Sequence, residues 1–223
     1  GEQEIERYLY GTKEELYDPH LLKDMDSAVE ILREKIQTGM RIRIVGDYDI
    51  DGICSTYLLY QGLLRCGAKV DYQIPERIRD GYGINESIIR QASEEEIDTI
   101  ITCDNGIAAF EQIGIARELG MTVLITDHHE VPQREDGEEL LPPANAIVNP
   151  KQRSCHYPFA GICGGVVAYK LVQVLYEKFG VPRKEWEEML EFAAIATVGD
   201  VMCLQDENLI LVRWGLKQIA KTQ

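Results

Sequence analysis

The chain has 223 residues, of which 45% are hydrophobic and 27% charged, and its formal net charge is −15 at pH 7. This composition is that of a globular protein able to bury a substantial core, either as one large domain or as two small ones. The net negative charge argues against a broad electrostatic grip on nucleic acid, which normally rests on clusters of lysine and arginine, although bound cations can invert the field locally. No apolar run approaches the roughly 20 residues of a membrane span, so we expect no membrane contact. Six cysteines without a Cys-x-x-Cys pair predict reduced thiols in a cytoplasmic protein.

Residues 1–40 are predicted to form a polar N-terminal extension followed by a helix. Asp18 and Pro19 are typical of the N-cap and the first position of a helix, and Gly39 would end it. Between them, apolar residues recur at helical spacing and predict one buried face: Leu21, Leu22, Met25, Val29, Leu32 and Ile36.

Residues 41–150 alternate between short apolar strands and helices. The predicted strands are Arg41–Val45, Lys69–Ile74, Ile97–Cys103, Met121–Thr126 and Ala146–Val148. Helices are predicted after Gly52 as far as Cys66, from Asn85 through Ala92, and from Ala108 to Leu119. Such alternation predicts βαβ units, hence an α/β fold with a doubly wound, mainly parallel five-stranded sheet and flanking helices.

Residues 151–223 change character and predict a helical C-terminal part. Helices are expected over Gly161–Phe179, Lys184–Val198 and Asn208–Ala220, with Gly180 to Pro182 separating the first two. We interpret residues 1–223 as one domain with these three parts.

The first predicted strand ends in three carboxylates spaced two residues apart, Asp47, Asp49 and Asp51, followed by Gly52. Oxygen ligands of this kind suit Mg²⁺, Mn²⁺ or Ca²⁺. A calcium loop of the EF-hand type is the simplest alternative, but it requires a glutamate at its twelfth position, where this chain has Leu58. It also requires a preceding helix rather than a strand.

Two further predicted strands end in similar chemistry. Asp104 follows the third strand, and Asp127, His128 and His129 follow the fourth. Each turn has an ordinary structural interpretation when taken alone, as a turn sequence or a surface histidine pair. Parallel strands, however, bring these ends to one edge of the sheet, where ligands bind in doubly wound folds. The like-charge repulsion of such a cluster favours a cation, and mixed carboxylate and imidazole ligation is what a two-metal site requires.

Four motifs in order resemble those of the DHH phosphoesterase superfamily. They are Asp47-Tyr48-Asp49-Ile50-Asp51-Gly52, Asp104-Asn105-Gly106, Asp127-His128-His129 and Thr197-Val198-Gly199-Asp200. The Gly81-Tyr82-Gly83 loop and the segments Ala146–Pro150 and Ala160–Val166 resemble the branch of single-strand-specific 5′→3′ exonucleases. Ile50 and Gly199 both stand where alanine is common in the family.

The resemblance implies a role for each motif residue. Asp47, Asp49, Asp104, His128 and Asp200 would be ligands of two Mn²⁺ or Mg²⁺ ions, with Asp104 bridging them. His129 would contact the scissile phosphate, and Asp127 would orient the neighbouring imidazoles. Asp51 is not assigned as a metal ligand. It would either cap the following helix or hold a metal-bound water. Three loop residues are candidates for substrate binding, Arg77 and Arg79 through phosphate and Tyr82 through base stacking, or else they form a solvated loop.

The function implied is a hydrolase: a 5′→3′ single-stranded-DNA exonuclease of DNA repair and recombination that uses a hydroxide activated by two metal ions. Family members carry a second, DHH-associated domain, which we expect beyond residue 223, and a single-strand-binding protein and a helicase are expected partners. The nearest alternative is a DHH phosphoesterase acting on short oligonucleotides, cyclic dinucleotides or pyrophosphate. A signalling receiver domain, which also binds Mg²⁺ through aspartates at the carboxyl edge of a doubly wound sheet, is a second alternative, but it is shorter and lacks a His-His pair. A third alternative is a non-catalytic relative that serves as a binding module. Such a relative is expected to have lost some metal ligands, whereas all of the expected ligands are present here.

Overall fold

The centre of the fold is a sheet of five parallel strands in the order β2-β1-β3-β4-β5. The computed structural model describes residues 10–76 and 83–221. The strands are β1 Arg41–Val45, β2 Lys69–Gln73, β3 Thr99–Cys103, β4 Thr122–Thr126 and β5 Ala146–Val148. Every pairing between neighbouring strands is parallel, as the alternation of strands and helices predicts.

Eight α-helices surround the sheet within the described residues, and two 3₁₀ turns precede them at Lys13–Glu15 and Pro19–Leu21. The helices are α1 Met25–Gln37, α2 Ile50–Arg65, α3 Glu86–Glu94, α4 Phe110–Glu118, α5 Gly164–Phe179, α6 Arg183–Glu187, α7 Leu190–Gly199 and α8 Asp206–Ile219. The doubly wound, mainly parallel α/β fold with a helical C-terminal part is therefore confirmed.

The two faces of the sheet bury separate apolar cores. Ile42, Ile44 and Leu124 pack under α1, α2, α5 and α7 on one face. Val45, Ile100 and Val123 pack under α3 and α4 on the other. Consecutive side chains of a strand point to opposite faces, so the continuous apolar runs of β1, β3 and β4 supply both cores.

Several predicted helix boundaries are wrong. The helix predicted after Gly52 begins at Ile50, because Asp49 is its N-cap. Asp18 caps only a 3₁₀ turn, through the backbone N–H of His20, and α1 begins six residues after Pro19 at Met25. The predicted helix Lys184–Val198 is two helices, α6 and α7, which meet at Glu188 and Met189. The predicted helix from Gly161 begins at Gly164 instead, and the reason for that start lies in the site described below.

The cysteines at positions 54, 66, 103, 155, 163 and 203 are all free thiols, as the absence of paired spacing predicts. In the described part of the chain, no helix has both the length and the apolar character needed to cross a bilayer.

Candidate metal centre

The turns after β1, β3 and β4 lie side by side at the carboxyl edge of the sheet. Backbone hydrogen bonds continue the strand pairing into them, from Gly46 to Gln73 at 3.1 Å, from Asp104 to Thr126 at 3.0 Å and from Asp127 to Val148 at 3.0 Å. The chain order turns back between β1 and β3, which are neighbours in the sheet. Ligand crevices of doubly wound folds form at such a point.

The turn after β1 positions Asp47 and Asp49 differently. Asp49 is the N-cap of α2, and its side chain accepts the Gly52 N–H at 2.9 Å. Asp47 is fully buried, and neither of its carboxylate oxygens accepts a hydrogen bond of good geometry from the described residues, although the backbone N–H groups of Tyr48 and Gly83 act to lower its pKa. Burial raises the pKa of Asp47, and the charge of Asp49 acts in the same direction. A Cβ atom at position 52 would lie 2.6 Å from the Asp47 carbonyl oxygen, so glycine is required there.

The turn after β3 holds Asp104 in a left-handed backbone conformation, with φ of 61°. Asn105 stabilises it, because its amide nitrogen donates to the carbonyl oxygens of Val45 at 3.1 Å and Cys103 at 2.9 Å. Burial, and then the charges of Asp51 and Asp49, raise the pKa of Asp104 well above its ordinary value. An ionised carboxylate at this position therefore favours a nearby cation.

The turn after β4 is organised by Asp127. One oxygen of this buried carboxylate accepts the backbone N–H of His128 at 2.7 Å and the Nδ1 of His129 at 2.7 Å, and the other accepts the N–H of Ile107 at 2.9 Å. Burial alone would raise the pKa of Asp127, but the hydrogen bond and charge of His129 outweigh it and lower the pKa. The same hydrogen bond raises the pKa of His129 against the effect of its burial.

His128 turns inward toward three carboxylates. Its Nε2 lies 3.1 Å from Asp104, 3.5 Å from Asp51 and 3.6 Å from Asp200. Burial lowers the pKa of His128 although the charge of Asp51 opposes it, which favours the neutral imidazole that ligates metals. Its Nδ1 is buried without a hydrogen-bond partner among the described residues.

Asp200 reaches the site from the C-terminus of α7. The last turn of that helix places Gly199 against α2, where an added Cβ would lie 2.5 Å from Cγ2 of Ile50. The two positions that depart from the family pattern are therefore in contact, with the larger side chain at one and none at the other. Burial raises the pKa of Asp200, while His128 acts in the opposite direction.

Asp51 differs from its expected role. Asp49, and not Asp51, caps the following helix α2. The two oxygens of Asp51 accept the backbone N–H groups of Gly164 and Gly165, both at 2.7 Å, and so cap α5. A Cβ at position 164 would lie 2.9 Å from Oδ1 of Asp104, which explains the glycine at the first residue of α5.

The clustered side chains form three overlapping groups in which one ligand atom per residue lies within 4.8 Å of the others. The first contains Asp47, Asp49 and Asp104, and the second contains Asp51, His128 and Asp200. The third combines Asp104 with both histidines. Asp51, which the sequence interpretation left outside the ligands, thus stands in a candidate group. The donor set fits two divalent cations, because it combines carboxylates with imidazole and includes buried oxygens and nitrogen that lack a partner in the described chain.

A profile of the DHH family, N-terminal domain, matches residues 41–197. The chain belongs to the DHH family. The matched range begins at β1 and ends within α7, so it contains the turns after β1, β3 and β4.

Similar proteins within the DHH family are single-stranded-DNA-specific RecJ exonucleases. The RecJ of Bacillus subtilis is 40% identical over 215 residues, which are 96% of this chain and 26% of that protein. The RecJ of Escherichia coli is 34% identical over an alignment of 227 positions, which covers 97% of this chain and 38% of that protein. The chain therefore spans about a quarter to two fifths of these relatives.

Solved structures agree with the fold. A crystal structure of exonuclease RecJ bound to manganese superimposes with a TM-score of 0.77 at 33% identity, over 88% of this chain and 48% of that one. The RecJ of Thermus thermophilus in complex with Mn²⁺ gives 0.74 at 30% identity, over 96% of this chain and 30% of that one.

The predicted substrate-binding residues Arg77, Arg79 and Tyr82 lie outside the described residues. The described end of their loop, Gly83, packs on Asn105, and the N–H of Ile84 donates to the Asn105 side chain at 3.2 Å. A cavity of about 340 Å³ opens here and is bordered by His129 and Glu130.

Sequence reasoning missed the roles of Asn105, Asn149 and the Gly164-Gly165 pair. Asn149, buried after β5, donates from its side chain to the His129 carbonyl oxygen at 3.0 Å. The adjacent glycines before a long apolar helix were the available signal for a close approach to another backbone or side chain.

Proposed function

We propose that this chain is the metal-binding domain of a 5′→3′ exonuclease that hydrolyses single-stranded DNA with two Mn²⁺ or Mg²⁺ ions. The observation that carries the proposal is the pair of ligand groups at one sheet edge, with Asp104 beside both. Asp47, Asp49 and Asp104 would hold one ion and Asp51, His128 and Asp200 the other, with Asp104 near enough to His128 to contribute to both. When bound, such ions lower the pKa of water and neutralise charge that develops on a phosphodiester in hydrolysis.

The protein groups around the ions have separate tasks. Asp127 fixes the orientation of both histidines through its side-chain and backbone hydrogen bonds. His129 borders the cavity, so its imidazole contacts a phosphate group that enters there. The N-terminus of α2 adds backbone N–H groups that favour an anion at the same edge. Arg77 and Arg79 would add bidentate contacts to phosphate, and Tyr82 a stacking surface for a base.

The choice of single-stranded DNA rests on the RecJ relatives at 34–40% identity, each of which carries that substrate in its name. A small-substrate phosphoesterase is not favoured, because the curated relatives at 34–40% identity are single-stranded-DNA-specific exonucleases. Since the chain spans only part of the relatives, we propose that a second domain completes substrate binding. DNA repair and recombination as the process, and a single-strand-binding protein and a helicase as partners, belong to the same proposal. The six free thiols favour the cytoplasm as the compartment.

The test compares the full-length protein with its Asp104→Asn variant, using Mn²⁺ and single-stranded DNA labelled at either end. Release of nucleotides from the 5′ end by the wild type alone supports the proposal, and faster hydrolysis of a dinucleotide than of long DNA would contradict it. Asp98→Asn is the matched control, because Asp98 pairs with Lys35 at 2.7 Å beside the amino end of β3, on the opposite edge of the sheet. We expect that variant to retain activity.

A further inference from the structure

We propose that Lys151 binds a phosphate of the nucleic acid strand at the rim of the metal centre. In the absence of the strand, Lys151 forms an ion pair with Glu130, and the phosphate replaces Glu130 on binding. The inference rests on the proposed function and adds a specific residue pair to it. Neither residue belongs to the ligand groups or to the four family motifs.

The backbone of Lys151 is fixed beside the turn that carries both histidines. Its N–H donates to the Asn149 side chain at 2.8 Å, and the same side chain donates to the carbonyl oxygen of His129 at 3.0 Å. Asn149 is fully buried, so this connection is part of the folded core rather than of a surface loop. Lys151 therefore keeps a defined position relative to His129. Its charge also acts on the His129 ring, where it opposes the rise in pKa that the Asp127 hydrogen bond causes.

The ammonium group of Lys151 is held by a partner that can easily leave. Its Nζ lies 2.9 Å from Oε1 of Glu130, and the Lys151 side chain is 24% exposed while that of Glu130 is 86% exposed. Exposed ion pairs contribute little to stability, so replacing this carboxylate by a phosphate oxygen costs little. A phosphodiester carries the same single negative charge as a carboxylate, so it can take the place of Glu130. Binding of the polyanionic strand also releases its condensed counterions, which makes the exchange favourable.

Glu130 also lies at the edge of the cavity through which we expect the strand to reach the metal centre. It borders the cavity beside His129 together with Asn105 and Gln112. The surrounding edge of the sheet carries many carboxylates, and the whole chain has a net charge of −15. A phosphate entering the cavity is therefore repelled by Glu130 and attracted by Lys151. Removing one charge or the other should change strand binding in opposite directions.

The experiment uses the full-length protein with the variants Lys151→Met, Lys151→Arg and Glu130→Gln. We expect Lys151→Met to raise KM for single-stranded DNA about tenfold with little change in kcat, and to lower the salt dependence of binding by about one phosphate contact. Lys151→Arg should restore most of the affinity, and Glu130→Gln should lower KM about twofold to threefold. In a Lys151→Met background, Glu130→Gln should have a smaller effect, because the competition for Lys151 is gone.

Lys35→Met is the matched control. Lys35 is 21% exposed and pairs with Asp98 at 2.7 Å near the opposite edge of the sheet, so this change removes the same charge from a similar environment. We expect no change in KM. If Lys151→Met and Glu130→Gln both match Lys35→Met in KM and in salt dependence, the inference is wrong.

A binding measurement separates this inference from the proposed function. Fluorescence anisotropy with a labelled single-stranded oligonucleotide, in the Asp104→Asn background, reports affinity without hydrolysis. Weaker binding with Lys151→Met and tighter binding with Glu130→Gln support the inference whether or not the wild type degrades the strand. Unchanged affinity in both variants overturns it, even if the wild type is an active exonuclease.

Discussion

Two of the buried charge clusters in the described chain have different surroundings. In the helical part, Lys170 of α5 and Glu207 of α8 are 2% and 0% exposed and lie 3.1 Å apart. Lys170 also donates to the Tyr17 carbonyl oxygen at 2.9 Å, and the Tyr157 hydroxyl donates to Glu207. At the carboxyl edge of the sheet, by contrast, Asp51, Asp104 and Asp200 all face the same nitrogen of His128.

The difference distinguishes a structural charge cluster from a functional one. The first contains a cation and an anion that pair with each other and with further groups of the chain, although burial still outweighs Glu207 and lowers the pKa of Lys170. The second gathers carboxylates around one imidazole, and no hydrogen bond of good geometry reaches the buried Asp47 carboxylate from the described chain. Buried anions in that arrangement are stabilised by an added cation. If this distinction is correct, substitutions in the cluster at the sheet edge should lower activity, and those in the Lys170–Glu207 cluster should lower stability.

Asp104→Asn should have the largest effect on activity and a favourable effect on the metal-free fold. We expect kcat for DNA hydrolysis to fall by about 10³-fold or more, since both candidate ions lose a ligand. In EDTA, the midpoint of thermal unfolding should stay level or rise by a few degrees, because burial and the charges of Asp51 and Asp49 disfavour the ionised side chain. A large loss of metal-free stability would mean that this carboxylate is structural.

Lys170→Met should have the opposite pattern, a large loss of stability with little loss of activity. It leaves Glu207 buried without its cation, which costs about 3 kcal/mol in the free energy of unfolding, while the activity of the folded protein should be retained. Urea denaturation of the variant gives this value. Adding Glu207→Gln to the variant should recover part of the loss, and no recovery would contradict the pairing.

Gly199→Ala should weaken the metal centre through the contact between α7 and α2. The added methyl group would lie 2.5 Å from Ile50, which sits between Asp49 and Asp51, and would displace Asp200 from His128. We expect about tenfold weaker Mn²⁺ binding by calorimetry, as for other residues that position ligands. The double variant Ile50→Ala with Gly199→Ala should recover affinity. Gly114→Ala in α4 is the control, because nothing lies within 4 Å of its added Cβ. An equal loss of Mn²⁺ affinity in that variant would show that the contact with Ile50 is not the cause.

His20→Asn should have the smallest effect, one that depends on pH. The imidazole lies 2.7 Å from Asp26 and 3.0 Å from Glu177, and although its burial opposes them these carboxylates raise the pKa of His20. The stabilisation is complete below the ordinary histidine pKa of about 6.5 and is lost as pH rises through the higher folded value. The wild type should exceed the variant by less than about 1 kcal/mol at pH 5.5 and match it at pH 9 in urea titrations. A difference that persists at pH 9 would contradict this origin.

The sequence predicted the sheet because apolar strand runs can be recognised locally, and it predicted the convergence of the acidic turns because right-handed crossovers bring parallel strand ends to one edge. It predicted the edge at which Asp104 and His128 meet, since both directly follow strands. It did not predict the role of Asp51, whose partners Gly164 and Gly165 lie more than 110 residues away. The start of α5 at Gly164 has the same cause, because that helix begins where Asp51 caps it. The break between α6 and α7 was also not predicted, because neither Glu188 nor Met189 is a helix-breaking residue.

The most direct measurement is anomalous diffraction from crystals of the protein soaked in Mn²⁺. The two-metal account predicts two manganese peaks about 3.5–4 Å apart. One should lie among Asp47, Asp49 and Asp104, and the other among Asp51, Asp104, His128 and Asp200. A single peak, or a second peak away from Asp51 and Asp200, would contradict it.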